Sequence, residues 1–153
     1  MNERIPLAVL VPLRLLCGVI LVLEGWGKLQ GGWLHGGALL GRLNDWVDAG
    51  RPYKFFMPIM ETARAHPKIF GALVTLGELV IGGSMVLGLL SRASAFLGAL
   101  MLWSYAFGSG EKLIPPGSAL LMGALFVTFV IAPPGRVLGI DAGLRGRLPR
   151  WLV

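Results

Sequence analysis

The stretch 70–102, FGALVTLGELVIGGSMVLGLLSRASAFLGALML, decides how this chain is read. It is apolar over a length that suits a bilayer, yet it carries one acid in mid-run, Glu78, and one basic break, Arg92. Glycines crowd the acid at Gly71, Gly77, Gly82, Gly83 and Gly88. An ionisable group inside a membrane is costly and normally faces a protein interior or a water-filled cavity. The remaining residues are therefore read as what surrounds Glu78.

Composition supports a membrane setting. The chain has 153 residues, enough for a single domain over 1–153. Hydrophobic residues make up 55% and charged residues 14%, more apolar surface than a soluble domain of this size could cover. The fold class expected is all-α, an integral membrane four-helix bundle. The net charge of +6 points to anionic headgroups of the lipid bilayer, with no nucleic acid partner, because no basic–aromatic interleaving builds a groove. Cys17 is the single cysteine, so no internal disulfide, structural zinc site or multi-cysteine iron–sulfur cluster is expected. His35 and His66 both fall in a loop, which leaves no pair of intramembrane histidines for a haem. The N-terminal apolar segment is broken by Arg14 and lacks a small-residue cleavage site, so it reads as a helix rather than a leader.

Four spans follow from the apolar runs: about 7–29, 69–90, 93–107 and 118–132. At ~1.5 Å per residue, the first covers roughly the ~30 Å hydrocarbon thickness. In it, Arg14, Gly18, Gly25 and Lys28 fall within about 40° of one direction at ~100° per residue, a face suited to close helix contact. Glu24 and Lys28 form an i, i+4 pair in the favourable order. Ser91 is a candidate N-cap for the third span. Between the first two spans, 30–67 is an amphipathic loop whose segments 38–47 and 53–65 suit short helices in the interface or capping the bundle. Trp26 reads as an interfacial anchor, and Trp33, Trp46, Tyr53, Phe55 and Phe56 read mostly as anchors too, although a quinone ring could also stack among those five. The tail, 136–153, is basic and amphipathic and is expected at the membrane surface. Basic residues divide almost evenly between the two sides, so charge alone leaves orientation open.

Several motifs occur together in order. They are Arg14, Gly18 and Gly25-Trp26-Gly27-Lys28-Leu29 in the first span, and Gly77-Glu78-Leu79, Gly82-Gly83 and Gly88-Leu89-Leu90-Ser91-Arg92 in and after the second. Gly135-Arg136 and Gly139-Ile140-Asp141 follow the fourth. This set resembles the DoxX/DoxD family of small four-helix membrane proteins and covers nearly the whole chain. The resemblance implies a bundle in a bacterial cytoplasmic (inner) membrane, with both termini cytoplasmic. It also implies association with oxidoreduction, since relatives include membrane subunits of thiosulfate:quinone oxidoreductase. Quinone is then the expected cofactor, and other membrane protein subunits are the expected partners.

The candidate site is a charge network of Arg14, Glu24, Lys28 and Glu78, with Glu78 the candidate catalytic residue. Arg92, Arg136 and Asp141 are expected at the turn and the interface. Glu78 falls near the midplane and can reach either Arg14 or Lys28. One reading makes this a buried ion pair that locks two helices. The other makes it a polar pocket that holds a quinone headgroup or an anion, or relays a proton. At the level of function, a quinone-linked oxidoreductase subunit stands against a non-catalytic structural or assembly subunit of a larger membrane complex.

Overall fold

A computed structural model describes residues 4–144 and Pro149. The described residues fold into helices joined by short turns. In chain order these are α1 (Arg4–Val9), α2 (Val11–Gln30), α3 (Gly37–Asp48), α4 (Met57–Ala65), α5 (Pro67–Leu87), α6 (Ser91–Ser109), α7 (Ser118–Ile131) and α8 (Ile140–Gly143). Leu7–Gln30 and Pro67–Leu87 are long and apolar enough to cross a membrane; Ser118–Ile131 is apolar but shorter. Proline opens α2, α4 and α5 within their first two positions, where a missing N–H leaves no intrahelical bond unmade.

Packing is pairwise. α2 lies most closely against α5, α6 lies against α7, and α5 joins the two pairs through α6. The first contact depends on glycine. A Cβ on Gly18 would stand 2.9 Å from the Gly82 carbonyl oxygen, and one on Gly82 would stand 2.8 Å from the Gly18 carbonyl oxygen. The two backbones therefore touch without intervening side chains, as helices in lipid do when small residues meet. The second contact uses rings set on glycines: Phe126 covers Gly98, and Trp103 covers Gly123. Between the pairs, Cys17, Leu21, Ile81, Met85, Ala95, Ala99, Phe126 and Phe129 form one buried cluster. Large apolar residues on the outward faces, among them Leu23, Leu73, Val80, Phe96 and Leu121, stay exposed, as lipid-facing residues are.

The 30–67 segment caps one end of the helices, hereafter the cap end. Trp33, Leu39, Leu43, Trp46, Phe56, Met60 and Ala63 form a second buried cluster, packed on Phe70, Val74, Tyr105 and Phe107. This corrects the expectation for the aromatics. Trp33, Trp46 and Phe56 are core residues of a folded lid rather than anchors, and only Trp26 and Phe55 are largely exposed. Amphipathic helices present the same pattern to a bilayer and to a bundle end, so periodicity does not separate the two. The lid is tied down where the Trp33 carbonyl sits against Gly71, and where the Tyr53 hydroxyl donates to the Glu111 carbonyl oxygen at 2.9 Å.

The opposite, turn end brings one further correction. Ser91 does not cap α6; it is the first residue of the helix, after Leu90 in a left-handed conformation (φ 47°). The cap comes from Asp141. Its carboxylate accepts the Leu90 N–H at 2.7 Å, the Ser91 N–H at 2.8 Å and the Ser91 hydroxyl at 2.6 Å. The start of the basic tail packs onto this end of the bundle. Gly135 and Asp141 are buried against the 88–91 turn, and the Asp141 N–H donates to the Gly88 carbonyl oxygen at 2.9 Å. The tail beyond Leu144, apart from Pro149, lies outside the described residues. Glu111 serves α7 in the same way, accepting from the Ala119 and Leu120 N–H groups at 3.2 and 3.0 Å.

Asp141→Ala strands the Leu90 and Ser91 donors in a buried site and should cost on the order of 2–3 kcal/mol. Ser91→Ala removes one bond and should cost about 1 kcal/mol. Thermal unfolding of the detergent-solubilised variants should rank them in that order below the parent.

Candidate functional site

Two charged centres sit at opposite ends of the α2–α5 contact, and side-chain direction explains the division. Helical side chains lean toward their own N-terminus. Arg14, near the start of α2, leans to the turn end; Lys28, near its finish, leans back into the bundle. Glu78 on α5 leans toward the cap end and meets Lys28. Of the two partners that reach allowed for Glu78, the structure selects Lys28.

The Lys28–Glu78 contact is short and enclosed. The Lys28 ammonium donates to both Glu78 carboxylate oxygens, at 2.8 and 2.7 Å, and both side chains are 9% exposed. Gly25 makes this possible: a Cβ there would stand 3.1 Å from the Glu78 Cβ and 2.9 Å from the Leu79 Cγ. The third ammonium proton goes to Glu24 at 3.3 Å, so the i, i+4 pair expected on α2 also forms. Two rings of the lid end complete the surroundings. The Lys28 ammonium lies 5.4 Å from the Trp33 ring centre and 5.9 Å from that of Tyr105. Each is within reach of a cation–π attraction of about 0.5–2 kcal/mol. Tyr105 is itself held edge-on to Trp46, at 5.0 Å between ring centres.

Thr75 stands one turn along α5 from Glu78, toward the lid. It is fully buried, and its hydroxyl oxygen has no hydrogen-bond partner among the described residues. Buried polar groups are rarely left so, and an orphan beside an ion pair marks spare hydrogen-bonding capacity. Sequence reasoning passed over Thr75, although its position three residues before Glu78 places it beside the acid on α5.

At the turn end, Arg14 is 2% exposed and its Nη1 donates to the Leu138 carbonyl oxygen at 2.6 Å. Arg92 donates from Nε to the Val130 carbonyl oxygen at 2.8 Å. Arg136 closes the short turn 134–136 beside them. The expected network of Arg14, Glu24, Lys28 and Glu78 is thus divided: Glu24, Lys28 and Glu78 meet near the lid, while Arg14 lies at the turn end with Arg92, Arg136 and Asp141. Arg14, Arg92 and Asp141 are structural in form, since they fasten carbonyls and the start of a helix. His35 and His66 lie exposed on the lid side, and Cys17 packs in the core.

Lys28→Met leaves the Glu78 carboxylate buried without its partner and should cost about 3–5 kcal/mol, whereas a paired apolar replacement is often neutral. The double variant K28M/E78M should recover most of the monodisperse yield and thermal midpoint that K28M loses.

No curated protein and no solved structure matches the chain. The family model described as DoxX matches residues 9–108, which run from the end of α1 to the last turn of α6. The match contains Arg14, Glu24, Lys28, Thr75 and Glu78 and stops short of Asp141. A motif order that spans both packed helices and the acid–base centre between them places this chain in the DoxX family of membrane proteins.

Proposed function

We propose that this chain is a membrane subunit of a quinone-linked oxidoreductase system, with α2, α5, α6 and α7 crossing the bilayer as a four-helix bundle. The turn end, with both termini, faces the cytoplasm of a bacterial inner membrane, and the lid faces the other side. Other membrane subunits supply the redox centre. The observation that carries this reading is the buried Lys28–Glu78 pair beneath the Trp33 and Tyr105 rings, with the unpartnered Thr75 hydroxyl beside it.

These residues fit a quinone headgroup. Thr75 and Lys28 can donate to ring oxygens, and the longest Lys28 bond, to Glu24, is the one given up at least cost. Glu78 can accept from a ring hydroxyl and hold a proton at its carboxyl. Trp33 and Tyr105 offer faces for a flat ring and exclude water, which strengthens the electrostatics between them. A bound quinone supplies the capacity to take up electrons and protons together.

A second reading rests on a different observation. All three Lys28 protons already have acceptors, as in a completed helix lock. On that reading the chain is a structural or assembly subunit of a larger membrane complex, and the lid is a contact surface.

Isolation from native membranes in mild detergent, with extraction of lipids and identification of co-purifying proteins, separates the two. The first reading expects quinone to stay with the protein and Glu78→Gln to lose it while eluting at the parent position. A stoichiometric complex without quinone at this chain, or full retention by Glu78→Gln, overturns it.

A further inference from the structure

A groove apart from the ion pair opens on the outer side of α6 and α7, at the cap end. Trp103 and Phe107, four residues apart on α6, line it with Leu120 and Ala124, four apart on α7. Leu113 and Pro116 of the connecting loop close its end. Trp103 is seated on Gly123, which holds that wall in place. Ala124 is exposed and brings only a methyl group, which leaves room between the larger side chains. The volume is about 400 Å³, inside the range of roughly 300–1,000 Å³ for ligand cavities. No charged side chain lines it.

The charges gather beside the groove instead. The 51–54 segment is fastened to 107–111. The Arg51 carbonyl sits against Gly110, and the Tyr53 N–H donates to the Phe107 carbonyl oxygen at 3.1 Å. The Tyr53 hydroxyl donates to the Glu111 carbonyl oxygen, and the Phe55 ring centre lies 5.2 Å from that of Phe107. Arg51, Lys54 and Lys112 are thus brought to one region, all exposed, and none has an ion-pair partner among the described residues. Of the nearby acids, Glu111 turns its carboxylate to the Ala119 and Leu120 N–H groups. Asp45 and Asp48, at the end of α3, are exposed and likewise pair with none of the three cations. Leu113 and Ile114 follow Lys112 directly and are 59% and 90% exposed. A cation next to protruding apolar residues suits the boundary between headgroups and hydrocarbon.

We infer that the groove holds one acyl chain of an anionic phospholipid, with Arg51, Lys54 and Lys112 around its phosphate head. The inference rests on α6 and α7 crossing the bilayer, as proposed above, and not on the quinone reading. The two ends of the lipid have different parts. Its chain gains little over other chains, because hydrocarbon surrounds the groove in any case, so the groove fixes where the lipid sits. Its head supplies the preference, about fivefold for each cation near the surface. A neutral lipid fits the groove but gains nothing from the cations, and a free phosphate meets the cations without an anchor.

The test uses the full chain in phosphatidylcholine nanodiscs doped with a small share of phosphatidylglycerol or phosphatidylcholine bearing dibrominated chains, which quench tryptophan on contact. The Trp103 signal is the difference between the parent and Trp103→Phe. Dibrominated phosphatidylglycerol should quench Trp103 at a lower share than dibrominated phosphatidylcholine does. Lys112→Gln should reduce that preference about fivefold, and R51Q/K54Q/K112Q should abolish it. Ala124→Phe, which fills the groove and leaves every charge in place, should abolish it too. These positions are exposed, so the variants should elute as the parent does. Equal quenching by the two lipids overturns the site and leaves the crossing of α6 intact. A preference that survives the triple variant or Ala124→Phe also overturns it. Displacement of the brominated lipid by glycerol phosphate alone reveals an anion site without a chain, and the lipid falls. If neither lipid quenches Trp103, the crossing of α6 and the site fall together.

Discussion

The approach of α2 to α5 through Gly18, Gly25 and Gly82 is the constraint on which the other features depend. Backbone contact at Gly18 and Gly82 fixes the separation of the two helices. That separation lets a lysine near the end of one helix reach a glutamate at the middle of the other with hydrogen bonds of 2.7 and 2.8 Å. A bulkier interface would hold the groups apart, and each would then bear the cost of burial without the attraction that offsets it. Close approach in lipid and charge pairing are thus one device here, since the same glycine-lined face carries Arg14 and Lys28 at its two ends.

The lid follows from the same geometry. Gly71 extends the bare face of α5 beyond Glu78, and the Trp33 carbonyl rests against it. This seats the Trp33 ring beside the ammonium of Lys28. The segment that leaves α2 is thereby folded back over the ion pair, and α3 and α4 build their aromatic cluster on that foundation. Closing the end of the bundle and walling the acid–base centre are achieved by one set of contacts.

How much of this could be read from residues alone varies with the range of the interaction. The four helices were legible, because long apolar runs and the glycine spacing are local signals. The Lys28–Glu78 pair was legible as one of two options, and the lean of helical side chains, applied to both helices at once, favours the option the structure adopts. The lid was visible as amphipathic segments, but whether Trp33, Trp46 and Phe56 met lipid or one another was not, since both environments ask for the same pattern. Asp141 as the cap of α6 was hidden. Its partners lie 50 and 51 positions away, and Ser91 stood at the expected place with the expected chemistry. Thr75 was overlooked because a hydroxyl in an apolar helix normally bonds back to its own backbone.

The long reach of Asp141 bears on how the chain completes itself. α6 is formed from residues made well before Asp141, yet the amide groups at its start, behind the left-handed Leu90, find their acceptor only in that later residue. The turn between α5 and α6 therefore lacks these acceptors until residue 141 has been added. In the folded chain 135–141 lies under that turn, and Arg14 of α2 donates to the Leu138 carbonyl of the same segment. Arg14 of α2 and the 135–141 segment after α7 thus meet at one turn, so a chain cut short before Asp141 would lose the acceptor for the start of α6.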